Sequence, residues 1–171
     1  MPLRSLEGIP KIPKTRQKKA KNALDAVPQK KPDKIEYVCK VFFKYDTAAR
    51  KQLYAFAIET VAEFTNFTYE VSVEAVKEKN IITFFLMGLR ALPNMAPKIQ
   101  PACSEVIFED LIGDYIINLV KQDGAINQAK YHFNIFLKEI KLIESAKPPK
   151  KNNRWFSRFE VAEDEFSFMI K

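Results

Sequence analysis

The sequence predicts an α+β fold, in which one long helix packs on a mostly antiparallel sheet of about six or seven strands. Apolar residues at helical spacing over Thr47–Phe64 predict the helix, and alternating polarity elsewhere predicts the strands. Turn signals such as Asp123-Gly124 separate the predicted strands and favour hairpins. A β-sandwich with an inserted helix is the alternative fold.

The helix prediction depends on one stripe of side chains. Asp46 offers a carboxylate that can cap the first turn of a helix over residues 47–64. Leu53, Ala57, Val61 and Phe64 then recur at helical spacing and define one apolar face. We therefore expect this face to pack across the sheet.

The strand predictions follow from β-branched, aromatic or alternating residues. Ile81–Leu92 is almost continuously apolar, which predicts a central strand covered on both faces. Prolines at 93, 97 and 101 mark the loop after it. The remaining predicted strands are Lys34–Phe43, Phe67–Val76, Ser104–Ile112, Asp114–Lys121, Ile126–Leu142 and a C-terminal strand that contains Phe166, Phe168 and Ile170.

Charge divides the chain into two parts. Residues 1–34 hold ten Lys and Arg against three Asp and Glu, whereas residues 35–171 hold eighteen of each, so the first part carries the whole net charge of +7. Five of the ten prolines also lie in this first part, which disfavours regular structure there. We predict a basic, extended N-terminal arm over residues 1–34 and a single globular domain over 35–171.

The arm is the strongest functional signal in the sequence. A cationic segment on a neutral body favours electrostatic anchoring to an anionic partner. Extended basic segments can follow a phosphate backbone without reading its sequence, and a solubilising tail that binds nothing is the other interpretation. The predicted anchoring residues are Lys14, Arg16, Lys18, Lys19, Lys21, Lys30 and Lys31.

A second basic segment lies near the C-terminus. Residues 147–159 (KPPKKNNRWFSRF) carry five positive charges and no acid, with aromatic side chains between them. Basic and aromatic groups together can hold nucleic acid or anchor a protein interface. Arg154, Trp155 and Arg158 are the predicted second contact, and a loop whose Trp155 caps the core is the alternative.

The residues that chemistry usually requires are sparse. Four isolated glycines provide no phosphate-binding loop, and His132 is the one histidine available to a Cys39-based or serine-based nucleophile. The cluster Glu163-Asp164-Glu165 is expected to be a solvated turn. We therefore predict no catalytic residue, no bound cofactor and no metal site.

The two cysteines and the hydropathy suggest a compartment. Cys39 and Cys103 lie in apolar surroundings, which predicts two buried free thiols. No apolar stretch follows the basic N-terminus, and none approaches the length of a membrane helix. We expect a protein of the cytoplasm, a virion or another intracellular assembly, neither secreted nor inserted in a membrane.

Three function classes remain. The first is a non-catalytic structural or accessory subunit of a larger protein or nucleoprotein assembly, anchored by the arm. The second is an RNA- or DNA-binding protein that uses the arm and the segment 147–159. The third is a small enzyme or ligand-binding domain with a site of scattered polar residues. The neutral body favours the first over the second, because nucleic-acid-binding domains usually spread positive charge over the folded face.

Overall fold

The computed structural model describes residues 31–170 of the chain, and they form an almost entirely β domain. One short 3₁₀ helix, η1 (Glu163–Glu165), follows the last strand. The nine strands are β1 (Tyr37–Asp46), β2 (Lys51–Phe64), β3 (Thr68–Glu78), β4 (Ile81–Leu92), β5 (Gln100–Phe108), β6 (Gly113–Lys121), β7 (Ile126–Asn134), β8 (Glu139–Ala146) and β9 (Ser157–Val161).

All nine strands belong to one sheet in the order β8-β7-β6-β4-β3-β5-β2-β1-β9. Hairpins join β1 to β2, β3 to β4, β6 to β7 and β7 to β8, whereas β1–β9, β3–β5 and β4–β6 are parallel neighbours. The sheet curls until its two ends nearly meet: the Tyr131 hydroxyl of β7 donates to the Glu160 carbonyl of β9 across 3.4 Å. The result is a nearly closed, barrel-like sheet.

Aromatic side chains fill the interior of this curled sheet. Phe56 lies at its centre, 5.3 Å from Phe84 and 6.2 Å from Phe133 between ring centroids. Tyr54 and Tyr115 each meet Phe133 edge-on at 5.7 Å. Such edge-on pairs add stability beyond the burial of their area, so the abundance of phenylalanine serves the core.

The helix predicted over residues 47–64 is wrong, since this segment forms β2. Tyr54, Phe56 and Ile58 point into the barrel, and Ala55 and Ala57 are buried on its outer face. An apolar run that is buried on both faces no longer alternates in polarity, and short runs of this kind resemble helices in sequence. Pairing with β1 on one side and β5 on the other outweighs the helix propensity of the alanines.

The predicted capping group at Asp46 is used, but it caps a turn. Its Oδ1 accepts hydrogen bonds from the amides of Ala48 and Ala49 at 2.9 and 3.0 Å. Arg50 then takes a left-handed backbone conformation with φ of 52°, which breaks the helical path. The chain therefore reverses into β2 after a single turn.

Four further expectations need correction. The outer face of β4 is not covered, because Ile81, Phe85 and Met87 alternate as exposed residues with buried ones. The predicted strand Ile126–Leu142 is two strands, separated by a turn over residues 135–138. The last strand, β9, ends at Val161, before the predicted C-terminal strand that contains Phe166, Phe168 and Ile170. The alternative β-sandwich with an inserted helix is also wrong, because all nine strands form one sheet.

The two cysteines differ in exposure. Cys39 is fully buried on β1, as expected, whereas Cys103 is exposed on β5, and both thiols are free. Cys103 lies on the outer face of the sheet because its neighbour Ala102 faces the core. Within residues 31–170, no helix combines the length and the hydropathy needed to cross a membrane.

Candidate anion-binding surface

The predicted contact residues fall into two groups. Lys14, Arg16, Lys18, Lys19, Lys21 and Lys30 lie outside the described residues. The described ones are Lys31, Arg154, Trp155 and Arg158. Their roles in binding a partner stay predictions, and the structure gives their positions.

The end of the arm and the second basic segment lie against each other. Lys34 donates its amide to the Trp155 carbonyl across 3.1 Å, and the Trp155 amide donates to Asp33 Oδ1 across 3.0 Å. Lys31 Nζ lies 3.6 Å from Asp123 Oδ2 in the β6–β7 turn. The structure therefore brings residues 31–34, the β6–β7 turn and the segment around Trp155 to one end of the sheet.

Two buried asparagines hold the β8–β9 loop (residues 147–156) in this place. Asn153 bridges the loop to β7, since its side chain exchanges hydrogen bonds of 2.9 Å with both backbone groups of Ile126. Asn127 Oδ1 accepts from the amides of Phe156 and Ser157 and from the Ser157 hydroxyl, each at 2.9 Å. These bonds replace a regular ladder between β7 and the loop.

Arg154 is inside this arrangement rather than on its surface. Its side chain is only 5% exposed. One guanidinium nitrogen lies 3.2 Å from Glu36 Oε2 and another 3.0 Å from Asp123 Oδ2. Lys121 Nζ adds a second cation 2.5 Å from the same Glu36 oxygen. A buried guanidinium needs such partners, so the charge of Arg154 is balanced within the domain.

The neighbouring cations lower the pKa values of the two carboxylates, Glu36 and Asp123. Burial raises the pKa of Asp123, but hydrogen bonds from the Ala125 amide and from Arg154 outweigh it and bring the pKa down to about 2. Burial likewise raises the pKa of Glu36, and the hydrogen bonds and charges of Lys121 and Arg154 reverse the shift to a net lowering. Both groups are therefore ionised at neutral pH.

The β6–β7 turn packs closely against the β8–β9 loop at this end of the sheet. Lys150 Nζ donates to the Gly124 carbonyl across 2.5 Å. Gly124 has φ of 86°, and a Cβ added there would lie 2.8 Å from Lys150 Nζ. The Asp123-Gly124 signal of the sequence thus marks both the hairpin and the position where the loop packs on it.

The surface open to a ligand consists of lysines and one aromatic. Trp155 is half-buried, and its backbone amide and carbonyl bond to residues 33 and 34. Arg158 is exposed on β9, where its Nε donates to Glu160 Oε1 across 2.6 Å. The exposed lysines of this end are Lys31, Lys34, Lys150 and Lys151.

Sequence reasoning missed the carboxylates and amides that build this surface. Glu36, Asp123 and Asn127 lie 118, 31 and 27 residues from Arg154 along the chain, and only Asn153 adjoins it. The one available signal was the run Asn152-Asn153 next to Arg154 in a segment without acids. A cation flanked by amides can be a buried residue as well as a surface one.

The candidate catalytic groups are separated. Burial raises the pKa of the Cys39 thiol to about 12, so it is protonated at neutral pH. His132 lies on the outer face of β7, with its Nδ1 2.7 Å from Asp114 Oδ1. Among the described residues, no group of three or more His, Cys, Asp and Glu side chains is placed to hold a metal ion.

Comparison with known proteins adds no relative. No protein-family model, curated protein or solved structure matches the chain. Inferences about function therefore depend on the charge distribution and on the geometry given above.

Proposed function

We propose that this protein is a non-catalytic accessory subunit of a larger protein or nucleoprotein assembly, anchored to an anionic partner by its basic N-terminal segment. The observation that carries the proposal is the charge distribution. Residues 1–34 hold the whole net charge of +7, and the rest of the chain is neutral. Attraction to an anion is then concentrated in one segment of the chain.

The position of residues 31–34 supports this anchoring. They are held beside the β8–β9 loop, so Lys31 and Lys34 lie at the same end of the sheet as Lys150 and Lys151. An anion bound by residues 31–34 would meet Lys150 and Lys151 as well. Arg154 contributes little to such attraction, since Glu36 and Asp123 balance its charge.

A nucleic acid as the direct partner is the second candidate. The half-buried Trp155 is bonded through its backbone to residues 33 and 34, at the end of the sheet that carries these lysines. Aromatic rings near cations can stack on unpaired bases. Binding of this kind would weaken steeply with salt, because each phosphate contact releases counterions.

The decisive experiment uses the full chain and a variant with Lys18, Lys19 and Lys21 each replaced by Glu. Both proteins, tagged at the C-terminus, are used to retrieve partners from the native source at low salt, with and without nuclease. We expect the variant to lose the partners and to keep the thermal midpoint of the original domain. Partners that survive nuclease indicate a protein assembly, whereas nuclease-sensitive partners with a steep salt dependence indicate nucleic acid.

The matched control replaces Lys79, Lys98 and Lys141 by Glu, which changes the net charge equally at exposed positions elsewhere. This control should retrieve the same partners as the original chain. Equal retrieval by the Lys18, Lys19 and Lys21 variant would refute anchoring through the arm. The absence of enzymatic activity and the intracellular location stay predictions.

A further inference from the structure

The sheet has one weak junction, between β3 and β5. These parallel neighbours share a single paired position, Glu70 with Cys103, whereas β5 pairs with β2 along most of its length. Within residues 31–170, β3 beyond Glu70 and β5 beyond Cys103 have no other ladder partner on the sides that face each other. Two strand edges with unpaired backbone groups therefore border this junction.

The part of β3 that does not pair with β5 is also the more exposed part. Residues 74–78 are exposed at every position, on both faces of the strand. Their partners on β4 include the fully buried Ile82 and Phe84. The second half of β3 is thus covered by β4 on one edge and accessible to solvent on the other, which is the situation of an edge strand.

The interior side of the junction is apolar and only partly covered. Val73 of β3 and Val106 and Phe108 of β5 are half-buried and pack against the core. The Phe108 ring lies 5.5 Å from that of Phe56 and 6.1 Å from that of Phe84. A side chain that entered here from an added strand would meet aromatic rings and valines.

The rim of the junction is acidic. Glu105 and Glu109 form ion pairs with Lys44 and Lys51. Glu74, Glu78 and Asp110 form no ion pair among the described residues. Two cations lie beside these carboxylates: Lys77 of β3, whose Nζ is 5.9 Å from the Tyr115 ring centroid, and the exposed Lys79 of the β3–β4 turn. The edges therefore present free carboxylates around an apolar floor.

We propose that the β3 and β5 edges bind an extended basic peptide by strand addition. Backbone pairing with the two free edges would supply affinity, and alternate side chains would divide between the apolar interior and the acidic rim. The charge of the rim selects a partner strand with basic residues at alternate positions. The residues of this surface are not among those of the candidate anion-binding surface described above.

The test titrates the full chain with a synthetic peptide of about seven residues in which lysine and valine alternate, a length that matches β3 from Ser72 to Glu78. Amide hydrogen exchange is followed residue by residue. We expect new protection confined to residues 71–78 and 104–108. Replacing Glu74 and Glu78 by Lys should weaken binding by about tenfold, because the two reversals put like charges beside the peptide.

Two controls separate strand addition from general attraction to acids. A peptide of the same sequence with alternate amides N-methylated keeps its charge and loses the donors toward one of the two edges, so its binding should be clearly weaker. Replacing Glu163 and Glu165 by Lys makes the same charge change at exposed positions elsewhere, and affinity should be unchanged. All four carboxylates are exposed, so we expect each variant to fold. The amide spectrum of each variant checks that it does.

Three results would overturn the proposal. The first is absent binding, or equal binding of the N-methylated peptide. The second is an equal loss of affinity with the Glu163 and Glu165 variant. The third is protection of both edges without peptide, together with a dimer in sedimentation, which would identify a second copy of the chain as the occupant.

Discussion

The guanidinium of Arg154 lies 3.0 Å from the carboxylate of Asp123 and joins the β8–β9 loop to the β6–β7 turn. The same guanidinium reaches Glu36 at 3.2 Å, directly before β1. Three chain segments that are far apart in sequence therefore meet at one buried cation. We infer that this contact fixes the end of the sheet from which the basic N-terminal segment leaves.

Replacing Arg154 by Ala should lower the free energy of unfolding by about 2–3 kcal/mol. The loss is smaller than for a fully buried pair, because the Glu36 and Asp123 side chains are 35% and 33% exposed and water can solvate them. Urea unfolding followed by tryptophan fluorescence measures it. Arg158→Ala is the matched control, since that exposed arginine should change stability by less than about 0.5 kcal/mol. A similar effect of the two substitutions would contradict the structural role of Arg154.

Acid should destabilise the domain through Asp123. A pKa held at about 2 in the folded chain, against 3.8 as its ordinary value, means that the unfolded state takes up the proton first as the pH falls. The stabilisation by this group is complete above about pH 4 and is lost as the pH approaches 2. Urea midpoints measured between pH 6 and pH 2 should fall over this range. In Asp123→Asn the fall should be shallower, and an unchanged slope would show that other carboxylates control the acid response.

Replacing Ala55 by Leu tests the assignment of β2. On a helix over residues 47–64, Ala55 would lie opposite Ala57 and tolerate a larger side chain. On β2 it is fully buried against Phe42 and Ala162, so the extra atoms should cost about 1–3 kcal/mol. Thermal and urea unfolding measure the loss. Ala62→Leu on the exposed end of the same strand should be nearly neutral, and neutrality at both positions would disagree with a strand.

Local sequence determined several elements correctly. The aromatic and β-branched residues before Asp46 form β1, the alternation after Asn66 forms β3, and Asp123-Gly124 forms the tight turn between β6 and β7. Each depends on residues within one strand or turn, where side-chain period and backbone preference act without distant partners. The separation of charge between residues 1–34 and the rest is likewise a property of composition alone.

The candidate surface could be predicted only in part. The two basic segments were visible as charge, but nothing in their spacing indicated that Trp155 pairs with residues 33 and 34. The burial of Arg154 was also invisible, because its carboxylate partners lie about 30 and 120 residues away along the chain. Whether a cation faces solvent depends on which acids the fold brings to it.

Thus the sequence by itself determined the charge division, the abundance of aromatic core residues and the strands with clear alternation. Tertiary structure decided the state of residues 51–64, whose apolar run suits a helix stripe and a strand buried on both faces equally well. The choice was made by β1 and β5, which pair with both edges of β2, and by the interior that receives Tyr54, Phe56 and Ile58. Contacts between distant segments outweigh local propensity, because burying these side chains and pairing both strand edges is worth more than a few tenths of a kcal/mol per alanine.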